Sequence, residues 1–350
     1  MKKNEFSGNI FIFQAFDVGD DFDLELIEKK QILQTKALAL PKYFKNYHTP
    51  LSVESLYPHE SNSYISSKLH DFGAISLTYK IPFNKPLEEL RKQIEAIDAT
   101  YQEQSLSDAH VIFDKIIKYI KKPNFFHQRT SYFIIQLDID ESLDAKELKE
   151  QFGNTIASLL RFEKEALSDY QRKEILDDSV SYYKGELIIV DSEASFIYDS
   201  DYQELLDLFE FSNVQQLELK YFDQLLANKL NQLYERKTKL IDTRQFLPFM
   251  SLPQSPVADL GRLKVDISVI TDQLQNSIML ADEPYLTEVY DLLVKNLDLN
   301  SWKKSIDNKL EIIAGISSVY YNRLKTIRSE ILEVLIIILI FIELLLGIFK

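Results

Sequence analysis

The chain has 350 residues, 45% of them apolar and 27% charged, and a net charge of −14. That length and balance allow a sizeable core and exclude wholesale disorder. The acidity argues against DNA as a ligand, because a duplex binder must neutralise phosphates with Lys and Arg. Cysteine is absent, which removes disulfides, thiolate metal sites and Cys nucleophiles. Gly is scarce, 8 residues in all, which disfavours phosphate loops and many tight hairpins.

The N-terminus opens on the apolar run Ile10 to Phe13, which stops at Gln14 without a small-residue cleavage pattern. It reads as part of a first β-strand, Ile10 to Phe16, and not as a signal peptide. Further strand-like segments, rich in β-branched and aromatic residues, are Ser63 to Lys68, Gly73 to Ile81, Ser131 to Asp138, Leu187 to Asp191 and Ser195 to Tyr198. Helical stretches lie between them: Leu24 to Lys30, Pro86 to Lys121 with a break near Leu106, and Ala145 to Gln171. Pro86 before Leu87-Glu88-Glu89 is a favourable first turn, with acids facing the helix dipole. The interleaving predicts an α+β class: a mixed α/β domain over 1–200, with ferredoxin-like halves as one arrangement.

From Tyr202 onward the pattern is helical, with Val214, Leu217, Tyr221 and Leu225 on one face and Phe222, Leu226, Leu230 and Leu233 on another. Pro256 to Ala281 reads as a helix through Leu263, Ile267, Ile270, Leu274, Ile278 and Ala281. Asp282-Glu283-Pro284 breaks it, and Tyr285 to Leu297 is another. Leu310, Ile313, Ser317, Tyr320, Leu324, Ile327, Ile331 and Val334 then recur at three and four. This spacing fits a seam between parallel copies or an intramolecular hairpin. The helical domain so defined covers 201–330.

Ile331 to Phe349 is apolar except for Glu333 and Glu343, with Gly347 neutral to the argument. At about 1.5 Å per residue it is about 28 Å long, close to the hydrocarbon thickness of a bilayer. It predicts a transmembrane anchor over 331–350, centred on Val334, Ile338 and Phe341, with Glu343 at a helix contact. A buried core helix or an oligomer seam is the alternative. Lys303, Lys304, Lys309, Arg323, Lys325 and Arg328 outnumber Asp307, Glu311 and Glu330 before it, which would place the body on the cytoplasmic face of an inner membrane or an equivalent compartment.

Signals for chemistry are weak. The five histidines, His48, His59, His70, His110 and His127, show no metal-ligand spacing, and the usual nucleotide and hydrolase motifs are absent. Asp17, Asp20, Asp21 and Asp23 follow the first strand, and Asp138, Asp140 and Glu141 follow a later one. Carboxylates at a strand end can hold Mg²⁺ for phosphoryl chemistry, but turn and cap roles explain both clusters more simply. The aromatic run Tyr43 to Tyr47, with Lys42 and Lys45, packs a loop or stacks on bases. No cofactor and no metal site is expected.

Three stretches resemble the "required for meiotic nuclear division" family of bacteria, fungi and animal mitochondria. They are Phe211-Ser212-Asn213 opening a long helix, Tyr285 to Leu310 with Val289-Tyr290 and Asn308-Lys309-Leu310, and Ile338-Leu339-Ile340-Phe341-Ile342-Glu343. The first strand with Asp17 is similar to bacterial members. The resemblance implies a membrane-anchored, oligomeric, non-enzymatic protein, and by analogy alone a ribosome or RNA association. The leading expectation is a tail-anchored, homo-oligomeric scaffold. The alternative is a membrane-bound, metal-dependent enzyme processing phosphates through Asp138 and Asp140.

Overall fold

The computed structural model describes residues 5–19, 21–36, 38, 49–54, 63–125, 129–140, 143–183, 185–237 and 283–348, with a few helical residues between 261 and 271. The chain divides into two compact units, Met1–Tyr221 with Gln273–Trp302, and Phe222–Asp272 with Lys303–Lys350.

The first unit is built on β1 (Phe6–Asp17). Its residues are apolar in both alternating sets because both of its faces are covered. Ile10, Ile12 and Phe16 enter one core, and Ala15 enters another. β1 pairs antiparallel with β6 (Ala74–Lys85) on one side and β8 (Arg129–Leu137) on the other. The sheet continues through β5 (Tyr64–His70), β4 (Leu51–Val53) and β3 (Thr35–Lys36). Beyond β8 come β11 (Ala194–Tyr198), β10 (Leu187–Val190) and β9 (Ser179–Val180). The order is β3-β4-β5-β6-β1-β8-β11-β10-β9, and the β8–β11 pair is parallel. A second sheet pairs β2 (Asp21–Phe22) with β7 (Ile120–Lys121).

Helices α2 (Leu87–Ile116) and α3 (Ala145–Leu160) cover one face, through Leu90, Ile94, Ile112, Leu148 and Ile156. Tyr79 donates to Asp108 of α2 at 2.7 Å, so a buried hydroxyl has its acceptor. On the other face α5 (Gln203–Lys237) sets Phe209 on Tyr132, with ring centroids 5.6 Å apart. Further helices are α1 (Leu24–Lys29), α4 (Asp169–Asp177), α6 (Pro284–Asn296) and α7 (Leu299–Ile348).

The fold is therefore an α/β body on one large mixed sheet, and not an α+β pair of ferredoxin-like halves. The halves fail because β1 sits between β6 and β8 and joins every strand of the larger sheet into one. The expected break at Leu106 is absent: α2 runs unbroken for 30 residues, held by buried Ser105 and Asp108 on either side. The expected helix over Ala145 to Gln171 divides instead. Phe162 takes a left-handed φ of 55° after α3, and Ser168 caps α4 by accepting from the Gln171 amide.

The C-terminal anchor is also corrected. Among the described residues no helix is long and apolar enough to cross a membrane. Glu333 and Glu343 interrupt the apolar run, and a charge at the centre of a bilayer costs about 2.5–3.5 kcal/mol. The transmembrane helix, the tail anchor and the cytoplasm-facing orientation inferred from it are withdrawn together. The helix expected over Pro256 to Ala281 falls largely outside the described residues, although Ile267 is buried.

In the second unit, Asp223 of α5 accepts from Ser305 at 2.6 Å and from Lys309, both on α7. Leu310 and Ile313, the first two residues of the heptad, are buried within the chain. The side chains of Tyr320, Leu324 and Ile327 lie outside the described residues, and Ile331 is half-buried.

Candidate functional site

A group of buried polar side chains lies between α5 and the β5–β6 hairpin. Alternation sends Lys68, His70 and Ser76 to the α5 face of the sheet, with Lys68 directly opposite Ser76. From α5, Asp207 and Glu210, three residues apart, meet them. Lys68 Nζ donates to Glu210 Oε2 at 2.6 Å and to Asp207 Oδ1 at 3.2 Å. Ser76 Oγ donates to Glu210 Oε1 at 2.7 Å. His70 Nε2 lies 3.1 Å from the same hydroxyl. The Ser76 proton points to Glu210, so the imidazole donates through Nε2–H. Its ring stacks on Phe72.

The charges explain one another. Burial opposes the charge on Lys68, but Glu210 and Asp207 outweigh it and hold its pKa above the ordinary lysine value. Burial would raise Glu210, yet Lys68, Ser76 and His70 bring it below the ordinary value. Burial leaves Asp207 raised in spite of Lys68. His70 is held down at about 4, chiefly by burial, with Glu210 opposing and Lys68 assisting.

Ser76 and His70 are the residue types of a nucleophilic dyad, but the geometry is a clamp. The hydroxyl proton is committed to a carboxylate, and Ser76 and His70 are 1% and 3% exposed, so no substrate carbonyl can reach them.

Further along the same face lies a second buried acid. Glu218 is 1% exposed and its Oε1 has no hydrogen-bond partner. Burial, then the charges of Asp17 and Asp71, push its pKa well above the ordinary value. Linkage gives Glu218 and His70 opposite signs. A raised carboxyl contributes stability that is complete below the unfolded pKa of about 4.5 and is lost as pH rises toward the folded value. A depressed imidazole costs stability as pH falls from about 6.5 to about 4, on the order of 3 kcal/mol in all. Glu218→Gln is therefore expected to gain stability over the parent by an amount that is small at pH 4.5 and grows to about 1–2 kcal/mol at pH 7.5. Urea unfolding across that range checks it, and a pH-independent difference contradicts it.

The residues singled out in the sequence scatter. Phe211, Ser212 and Asn213 lie inside α5 and are buried. Ser212 donates to the Leu208 carbonyl, and the Asn213 carbonyl accepts from Thr130 Oγ1 at 3.0 Å. Tyr290 donates to Gln215 at 3.0 Å, and Asn308 is exposed. Asp17 is buried on the α5 face, Asp21 pairs with Lys121 at 2.8 Å, and Asp23 caps α1. Asp138 accepts from Gln136 at 3.2 Å, and Asp140 meets the Tyr198 hydroxyl through its backbone. Among the described residues no group of three or more His, Asp or Glu side chains is placed to hold a metal ion. Asp20, Glu141 and the run Tyr43 to Tyr47 lie outside the described residues.

The Lys68–Glu210 clamp carried no local sequence signal, because its partners are 142 positions apart. The signal that could have found it is a Lys and a His at alternate positions on a strand, since such groups require partners when the strand is covered.

One surface remains bare. From Leu332 to Leu346 the apolar side chains of α7 stand 41–67% exposed on every side of the helix, Val334, Ile338 and Phe341 among them. Glu343 is exposed with them.

A sequence profile described as "Uncharacterized protein MJ0711, N-terminal domain" matches residues 7–204. That span takes in β1 through β11. The chain belongs to this family. The protein "Uncharacterized protein MJ0711" of Methanocaldococcus jannaschii is 25% identical to it over 244 residues, covering 68% of this chain and 72% of that protein. No solved structure matches. The likeness to the meiotic-nuclear-division family is corrected accordingly. Phe211-Ser212-Asn213 and Val289-Tyr290 are short motifs whose residues are spent on packing and internal hydrogen bonds, and the matched profile covers the sheet instead. The analogy to ribosome or RNA association goes with it.

Proposed function

We propose that the chain is a non-catalytic, homo-oligomeric scaffold, joined to further copies of itself through the C-terminal half of α7. The supporting observation is the bare apolar surface between Leu332 and Leu346. A helix that is apolar all round is stable only when it is surrounded, and exposed patches of this extent mark interaction surfaces. Burying each Leu, Ile, Val or Phe stabilises an assembly by about 1.5–3 kcal/mol. The heptad continues into this segment at Val334, Ile338 and Phe341, which suits helix-to-helix packing. A two-stranded seam hides only a stripe of each helix, so the assembly holds more than two copies. The phosphate-processing alternative has no comparable support, because among the described residues no group of three or more His, Asp or Glu is placed to hold a metal ion.

The test is the molar mass of the Ile338→Asp/Phe341→Asp variant by sedimentation velocity, beside the parent. The parent is expected to sediment as a single species of several copies and the variant as a monomer with an unchanged circular dichroism spectrum. A monomeric parent overturns the reading, as does a parent that floats with lipid vesicles instead of self-associating.

A further inference from the structure

Outside the clamp and α7, the first unit carries an exposed aromatic corner beside the β9–β10 connection. Tyr182 and Tyr183 are 53% and 67% exposed, although tyrosines of this size are usually at least half covered. Their rings pack edge to face at 4.9 Å, and Tyr182 leans on Tyr285 of α6 at 5.4 Å. Such rings hold one another in place while leaving outer surface open.

Carboxylates ring this corner. Glu186 Oε2 accepts from the Tyr183 amide at 3.1 Å, which sets the acid under the aromatic pair. Asp199 Oδ2 accepts from the Tyr285 hydroxyl at 2.8 Å, and its Oδ1 accepts from the Asp201 amide at 2.8 Å. Asp201 is itself exposed. Among the described residues, Asp199 and Asp201 act on Glu186, and these two with Glu186 act on the Tyr285 hydroxyl; both pKa values are raised, first by burial and then by these acids. Open tyrosine faces beside several carboxylates suit a planar cation. A guanidinium stacks on an aromatic face and pairs with a carboxylate at once, which a lysine ammonium does less well.

We infer that the corner formed by Tyr182, Tyr183, Tyr285, Glu186 and Asp201 docks an arginine-bearing segment of a partner protein. The arginine lies on the Tyr182 or Tyr183 ring and pairs with Glu186 or Asp201. Charge complementarity identifies the occupant, since a basic segment meets a negative corner on a chain of net charge −14.

The probe is a fluorescein-labelled peptide of alternating Arg and Gly, followed by anisotropy against the full chain, with the Lys–Gly peptide of equal length as comparison. The arginine peptide is expected to bind saturably and several-fold more tightly than the lysine peptide. Tyr182→Ser/Tyr183→Ser is expected to weaken it about tenfold and Asp201→Asn about threefold, with unchanged thermal melts. No saturable binding overturns the inference. So does equal affinity for both peptides with indifference to the tyrosine changes, which would reduce the effect to bulk acidity.

Discussion

Glu210→Ala is expected to cost about 3–5 kcal/mol of folding stability, near the top of the range for a single substitution. The loss comes from what is left behind. Lys68, with a side chain 11% exposed, would retain only Asp207 at 3.2 Å. Ser76 would lose its acceptor, and His70 would lose the carboxylate that offsets the Lys68 charge. The double variant Lys68→Met/Glu210→Met removes both charges and fills the space, so it is expected to lose less than Glu210→Ala alone. Urea unfolding of Lys68→Met, Glu210→Met and the double variant supplies the cycle. Additive losses would show that the pair acts as separate surface charges. The clamp also titrates in one direction with His70. Glu210 contributes stability above its unfolded pKa of about 4.5, lost as pH falls through its lower folded value, while His70 loses stability from about 6.5 downward.

Gly8→Ala is expected to be comparably severe, at about 4 kcal/mol or more, or to prevent recovery of folded protein. A Cβ at Gly8 would lie 2.1 Å from the Gln136 carbonyl oxygen and 3.1 Å from Leu137 Cα, both backbone atoms of the neighbouring strand. Relief requires opening the β1–β8 ladder in the centre of the sheet. Gly153→Ala makes the useful contrast, because its Cβ meets the flexible tip of Leu176 at 2.8 Å and that side chain can turn away. The expected order of urea midpoints is parent, Gly153→Ala, then Gly8→Ala well below. A Gly8→Ala midpoint within error of the parent would show that β1 and β8 are not paired in this register.

The parts of the fold that the sequence disclosed are those with strong local periodicity. Ile10 to Phe16, Gly73 to Ile81 and Ser131 to Asp138 carry enough β-branched and aromatic residues to identify strands, and each lies within or beside an observed one. The two-residue strands β2, β3, β7 and β9 were not legible, because two residues hold no alternation. Strand order was not legible either: nothing near β8 says that β11, rather than a nearer strand, lies beside it. The clamp and the tyrosine corner escaped for the same reason, since both join residues far apart in the chain. Tyr182 and Tyr285, about a hundred positions apart, meet only because α6 packs beside the β9–β10 region. The C-terminal helix shows the reverse failing. Its run of Ile and Leu was plain in the sequence and correctly foretold a long helix, but length and apolarity alone do not distinguish a bilayer from a shell of neighbouring helices. Among the described residues no helix is long and apolar enough to cross a membrane.

The central claim is that α7 joins copies of the chain. Its most direct test is sedimentation velocity of the full chain beside a version ending at Glu330. The full chain is expected to sediment as an assembly of more than two copies, and the shortened chain as a folded monomer with an intact β-sheet signal. The same number of copies in both, or a monomeric full chain, would contradict it.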